Sequence, residues 1–155
     1  MTKIYRKAVS VTAVLALAFV FSNCGSSDKP AEQSSATPAA PADNGEGVGN
    51  FNGKEVAPFD AALAEKGKTL FEAKCSACHK ITGDKVVGPG LKGVTERRKP
   101  QWILNMITNP VEMTQKDPTA QALLAEHLTQ MTNQNVAEDE ALSILNYLRQ
   151  NDGAK

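Results

Sequence analysis

The run Cys75-Ser76-Ala77-Cys78-His79 constrains this chain more than any other part of it. Two cysteines separated by two residues, with a histidine directly after the second, form the attachment motif of a c-type haem. The chemistry sets the spacing. The two thiols add across the two vinyl groups of the macrocycle, and the adjacent imidazole lies under the iron as its proximal ligand. Cys75 and Cys78 are therefore the expected covalent attachment points of one haem c, with His79 an axial ligand. A thioredoxin-like dithiol needs a βαβ setting, and no stretch here sustains a two-residue alternation. A structural zinc site needs a second ligand pair, yet the remaining cysteine is Cys24 and the other histidine is His127.

Haem attachment takes place outside the cytoplasm, and the amino terminus carries an export signal. Lys3, Arg6 and Lys7 precede residues 8 to 21, which are apolar apart from Ser10 and Thr12. Those 14 residues span about 21 Å as a helix, short of the roughly 30 Å hydrocarbon core, so residues 1–23 read as a signal peptide and not as a membrane span. Phe21-Ser22-Asn23-Cys24 resembles a bacterial lipobox, with Phe21 and Asn23 departing from its usual Leu and small residue. The resemblance implies that Cys24 is lipidated and anchors the protein to a membrane on the periplasmic or extracytoplasmic side; a diacyl chain buries enough CH2 groups for that. Residues 24–57 are expected to be a disordered linker. Between Gly25 and Asn50 the composition is mainly Ser, Ala, Pro and Gly with a few charges, and Val48 is the one large aliphatic side chain, too little apolar area to offset ordering. As a flexible coil those 26 residues reach roughly 28 Å.

Residues 58–155 make the folded domain, small enough that a hydrophobic core alone is marginal and a prosthetic group adds to it. Its periodicity is helical throughout. Asp60 caps a helix running to about Lys74 with Leu63, Leu70 and Phe71 on one stripe. Pro100 opens a helix holding Trp102, Ile103, Met106 and Ile107, and Asp117-Pro118 opens another with Leu123, Leu124 and Leu128. Glu138, Asp139 and Glu140 start the last helix and Arg149 ends it, in accord with the helix dipole. The expected class is all-α, with four or five helices around one covalent haem c.

Around CxxCH the chain resembles a class I monohaem cytochrome c. Gly67 and Phe71 precede the motif, Val87-Gly88-Pro89-Gly90-Leu91 follows it, Met131 lies 52 residues after His79, and Ile144, Leu145, Tyr147 and Leu148 sit on the closing helix. The resemblance implies a crossing of first and last helices at Gly67 beside Tyr147. It implies a His79 Nδ1 hydrogen bond to the Pro89 carbonyl, Leu91 against the haem face, and propionate contacts from Trp102, Arg97 or Arg98, with a plain core role for Trp102 and solvated arginines as the alternatives. Asn133 or Asn135 would donate to the Met131 sulfur, with plain polar loop residues as the alternative.

The sixth iron ligand is expected to be Met131, an isolated thioether among Thr129, Gln130, Thr132 and Asn133 with little packing purpose. Met113, read as lying in a loop after Asn109-Pro110, is the second candidate; Met106 shares a face with core residues, and His127 sits on a helix beside Leu124 and Leu128. His/Met ligation favours ferrous iron and leaves no open position for substrate, which suits one-electron transfer and argues against catalysis.

Seventeen basic and seventeen acidic residues give a formal charge of zero, which makes nucleic acid a poor partner. The distribution is uneven: residues 66–99 carry a net +6 and residues 100–155 a net −4. A basic surface around the haem-bearing segment would steer a monomeric carrier onto an acidic docking site of a redox protein. The function expected is a membrane-tethered carrier serving a terminal oxidase or reductase in a respiratory chain. The alternatives are a dedicated haem subunit, or a haem enzyme or sensor such as a peroxidase.

Overall fold

The computed structural model describes residues 44–155; the expected signal peptide, Cys24 and the expected linker up to residue 43 lie outside them. Asp60, in extended conformation, opens α1 (Ala61–Lys74) by accepting hydrogen bonds from the N–H groups of Ala62 and Leu63 at 2.8 and 3.1 Å. This satisfies two of the donors that a helix start leaves unpaired. The last helix, α6 (Glu138–Asn151), begins with three acidic residues, and Glu140 reaches back to accept from the Ala137 N–H. Ala141, Ile144, Leu145 and Leu148 recur on one face of α6 at helical spacing and are buried.

α1 and α6 cross at Gly67. A Cβ placed there would stand 1.9 Å from the Ser143 carbonyl oxygen and 3.0 Å from the Ile144 nitrogen, so the two backbones touch and only glycine fits. One turn further along, the Phe71 and Tyr147 rings meet at 5.5 Å with a 55° tilt, within the favourable range for aromatic pairs.

Between these helices lie α2 (Val94–Arg97), α3 (Pro100–Thr108), α4 (Pro110–Lys116) and α5 (Pro118–His127). No strand occurs among the described residues. The described residues form six helices where four or five were expected. The additional ones are short, and one of them holds Met113: α4 starts at Pro110, whose fixed φ favours a first helical position. Met113 is fully buried there. Leu128 corrects a second expectation. It ends α5 in the left-handed region at φ 53° and is 85% exposed, so it does not extend the stripe of Leu123 and Leu124. The longest helices have 14 residues, and no described helix is long and apolar enough to cross a membrane.

The boundary expected at residue 58 is also corrected. Residues 44–57 pack on the domain: Phe51 is 4% exposed within the core, and Val48 and Val56 lie against it. The physical reason is α3, where Trp102, Ile103, Leu104 and Asn105 are consecutive and all buried, so both sides of the helix need cover. Asn105 supplies the polar half of the clasp. Its Oδ1 accepts from the Phe51 N–H at 3.0 Å, and its Nδ2 donates to the Glu46 carbonyl at 2.9 Å and to Asn52 Oδ1 at 2.7 Å. The Met113 sulfur accepts from the Val48 N–H at 3.0 Å. Phe51 and Val56 were the available signal, and reading Gly25–Asn50 by composition stops one residue short of the first.

Asp152, just past α6, ties that helix to α2. Its Oδ1 accepts from the Gly93 N–H at 2.6 Å, while Oδ2 accepts from the Thr95 N–H at 3.0 Å and the Thr95 hydroxyl at 2.7 Å. Partial burial pushes this carboxyl up, but the donors of Thr95, Gly93 and Asn151 outweigh it and hold it below the usual 3.8. A carboxyl depressed in the folded state stabilises the protein above its unfolded pKa, and the contribution fades as pH falls through the folded value. Acidification from pH 6 to below pH 4 should therefore lower the urea midpoint of the native protein more than that of Asp152→Asn. Equal acid sensitivity in the two would contradict the clamp.

Candidate functional site

The CxxCH run leaves α1 as a further helical turn. The Cys78 and His79 N–H groups donate to the Cys75 carbonyl at 3.1 and 2.9 Å, which turns the two sulfurs and the imidazole toward one side of the chain end. The following loop folds back over it: Gly88 N–H donates to the Cys78 carbonyl at 2.9 Å and Leu91 N–H to the Lys80 carbonyl at 2.8 Å. That return brings the Pro89 carbonyl 3.0 Å from His79 Nδ1. With the proton on Nδ1, the imidazole is held in one orientation with Nε2 available as a ligand. Gly88 is required at this approach, because a Cβ would stand 2.5 Å from the ring.

These groups open onto a cavity of about 330 Å3. Cys75, Cys78, His79, Pro89 and Leu91 line it from one side of the sequence; Arg98, Trp102, Met106, His127 and Met131 line it from the other. Cys75 is half-buried, and burial pushes its thiol up to about 11, with Lys74 only partly opposing. A sulfur so held is a poor thiolate, unlike that of a reactive redox pair. Among the described residues, no cluster of three or more His, Cys, Asp or Glu side chains is arranged to hold a metal ion on its own.

Met131 and Met113 are separated by this geometry. Met131 lines the cavity from the segment between α5 and α6, whereas Met113 is absent from the wall and its sulfur faces Val48. Met106, expected as core, is half-buried and lines the cavity as well. The Met131 segment is anchored on both sides. Buried Thr114 donates to Gln130 Oε1 at 2.9 Å, and Asn133 Nδ2 donates to the Thr108 carbonyl at 3.2 Å. The bond found for the Asn133 amide is thus to the backbone, with none to the Met131 sulfur. Thr114 and Gln130 escaped the sequence reading because the pairing is 16 residues apart and follows no motif.

Trp102 is likewise corrected as a hydrogen-bond donor to a cofactor. Its indole N–H donates at 2.9 Å to Asp117 Oδ1, a buried carboxylate that also caps α5 through the Ala120 N–H. The Trp102 ring still forms cavity wall, with the Arg98 guanidinium 5.3 Å from its centroid. Arg97 also lines the cavity, and donates to the Lys92 carbonyl at 2.6 Å.

Residues 64–152 match the cytochrome c family model. The chain belongs to the cytochrome c family. It is 33% identical over 69 residues to a cytochrome c-553-like protein of Synechocystis sp., which covers 42% of this chain and 66% of that relative's length. Among solved structures it is similar to the cytochrome c of Rhodothermus marinus, at 41% identity and a TM-score of 0.61 over 64% of this chain and 87% of that one. An engineered form of the Rhodothermus protein, solved with a carbene intermediate bound, is 39% identical with a TM-score of 0.58 over 64% and 88%. The cofactor of this cytochrome c is covalently bound haem c. The residues present fit it: two adjacent sulfurs and an oriented imidazole open into one largely apolar cavity, and Gly88 leaves the ring room.

Proposed function

We propose that this cytochrome c is a one-electron carrier and not an enzyme, exported by its signal peptide and tethered to a membrane through Cys24. The observation that carries the reading is that His79 and Met131, from chain segments 52 residues apart, line the same cavity as both cysteines. Cys75 and Cys78 hold the macrocycle covalently. His79, oriented by the Pro89 carbonyl, and Met131, on the segment held by Thr114 with Gln130 and by Asn133, would hold the iron. Haem c when bound supplies reversible one-electron exchange at its iron. The chain's own residues limit rearrangement: they fix the His79 and Met131 side chains on anchored segments, and they wall the cavity with Leu91, Ile103, Leu123 and Leu124.

Cys78 is exposed, so the attachment edge reaches the surface where a redox partner meets it. The basic segment includes that edge, with Lys80, Lys85 and Lys92 exposed in the loops that follow Cys78 in the chain. Lys74 and Lys99 are partly neutralised by Glu140 and Glu46 at 3.2 and 3.6 Å. The remaining cations favour an acidic docking surface, such as that of a terminal oxidase or reductase. Oxidation of the reduced protein by ferricyanide, an anionic one-electron reagent, should slow as ionic strength rises. A rate that is flat or rises with salt would remove the basic edge from the account.

A further inference from the structure

Residues 47–51 form a strap across α3 and α4, the two helices from which the Met131 segment hangs. A Cβ at Gly47 would stand 2.5 Å from Met113 Cε and 3.1 Å from Trp102 Cδ1, and one at Gly49 would stand 2.5 Å from Asn105 Oδ1. Both glycines have positive φ, 75° and 148°, so close approach and backbone conformation each exclude a side chain. Three fastenings hold the strap down: the Val48 N–H on the Met113 sulfur of α4, the Phe51 N–H on Asn105 of α3, and the buried Phe51 ring. Neither Met113 nor Asn105 is part of the cavity wall, which Ile103, Met106 and Ile107 of α3 and Thr114 of α4 line instead. The strap therefore backs helices whose other face is the wall.

α3 and α4 are joined through the single residue Asn109 and tied again where the Trp102 N–H donates to Asp117, so they form one unit. Among the described residues, two hydrogen bonds tie residues 129–135 to the rest of the fold, and both end on that unit: the Thr114 hydroxyl on Gln130, and Asn133 on the Thr108 carbonyl. Met113 under the strap and Thr114 under Gln130 are consecutive residues of α4. We propose that the strap is a positioning element for Met131: fastened, it holds the α3–α4 unit and with it the Met131 segment; released, it lets Met131 leave the iron and opens the distal position. This rests on the reading in which His79 and Met131 hold the iron. A five-residue strap with two glycines gives up much conformational freedom on ordering and is held by few bonds, so it opens locally without the domain unfolding.

The test mixes ferric holoprotein with imidazole and follows loss of the far-red methionine-to-iron band; at saturating imidazole the rate reaches a ceiling set by the departure of Met131. Gly47→Ala and Phe51→Ala, which lift the strap without touching the cavity wall, should keep the band at rest and raise that ceiling roughly tenfold, within the usual range of coupling between sites. Asn146→Ala is the control. It removes the acceptor of the Asp60 N–H between the start of α1 and α6, away from the strap, and should leave the ceiling unchanged. Coupling is reciprocal, so the wild type tests the proposal even if a strap variant fails to fold: displacing Met131 with imidazole should speed hydrogen exchange at the Val48 and Phe51 amides by a similar factor. A ceiling no higher in the strap variants, an equal rise in Asn146→Ala, or exchange at Val48 and Phe51 indifferent to imidazole overturns the proposal and leaves the carrier reading intact. Absence of the far-red band in the resting wild type instead defeats the reading on which the proposal rests.

Discussion

Gly67→Ala should destabilise the holoprotein by about 3 kcal/mol or more, at the upper end of overpacking costs, with the denaturant midpoint as the readout. The size of the effect comes from what the new methyl meets. Its neighbours are the Ser143 carbonyl at 1.9 Å and the Ile144 nitrogen, which belong to a backbone that cannot turn aside as a flexible side chain would. The sign is informative in itself. At an exposed mid-helix site the same substitution would stabilise by about 1 kcal/mol through helix propensity. Separating α1 from α6 would also pull Phe71 from Tyr147 and disturb the helix end from which the CxxCH turn leaves. A midpoint that holds or rises would show that the two helices do not touch at Gly67.

Met131→Ala and Met113→Ala should fail in opposite ways. Removing Met131 should abolish the far-red ferric band, let the reduced protein bind carbon monoxide, and lower the potential by on the order of 0.1–0.3 V, a fraction of the roughly 0.8 V that axial ligands span. Its effect on folding should be small, because Met131 is a half-buried residue in an otherwise exposed segment anchored by Gln130 and Asn133. Removing Met113 should leave the spectrum and potential unchanged while costing about 2–5 kcal/mol, the usual range for a buried methionine cut to alanine. Its sulfur accepts from the Val48 N–H, so residues 44–57 should also become more accessible to proteolysis. A spectral change in Met113→Ala with none in Met131→Ala would reverse the ligand assignment.

The legible parts of this chain were those whose physics is local. Asp60 and Asp117 as caps, Pro100 and Pro118 as helix starts, and the acidic opening of α6 are each decided within one turn, and the structure has them where the sequence places them. The CxxCH turn is likewise local, and its return to Pro89 closes over ten residues. What escaped was decided at distance. Asn105 reads as one polar residue within an apolar helix, and its role emerges only when a segment more than 50 residues away lies across it. Trp102 read equally as a donor to a cofactor or as plain core, because nothing in its own helix shows that Asp117 accepts its indole N–H. Leu128 shows the converse: helical spacing promised burial, but the helix ends one residue earlier and the side chain turns to solvent.

Charge was legible in amount and not in arrangement. The net +6 of residues 66–99 stands in the sequence, but which cations remain available depends on Glu46 and Glu140, which lie outside that segment and pair with Lys99 and Lys74.

The carrier account stands or falls on the iron having no open position, and the absorption spectrum of the native holoprotein reads this directly. The ferric protein should show the weak far-red band of methionine-to-iron charge transfer, and the reduced protein should not bind carbon monoxide on mixing. A ferric spectrum without that band, joined to ready carbon monoxide binding on reduction, would mean an open distal site and would contradict the account.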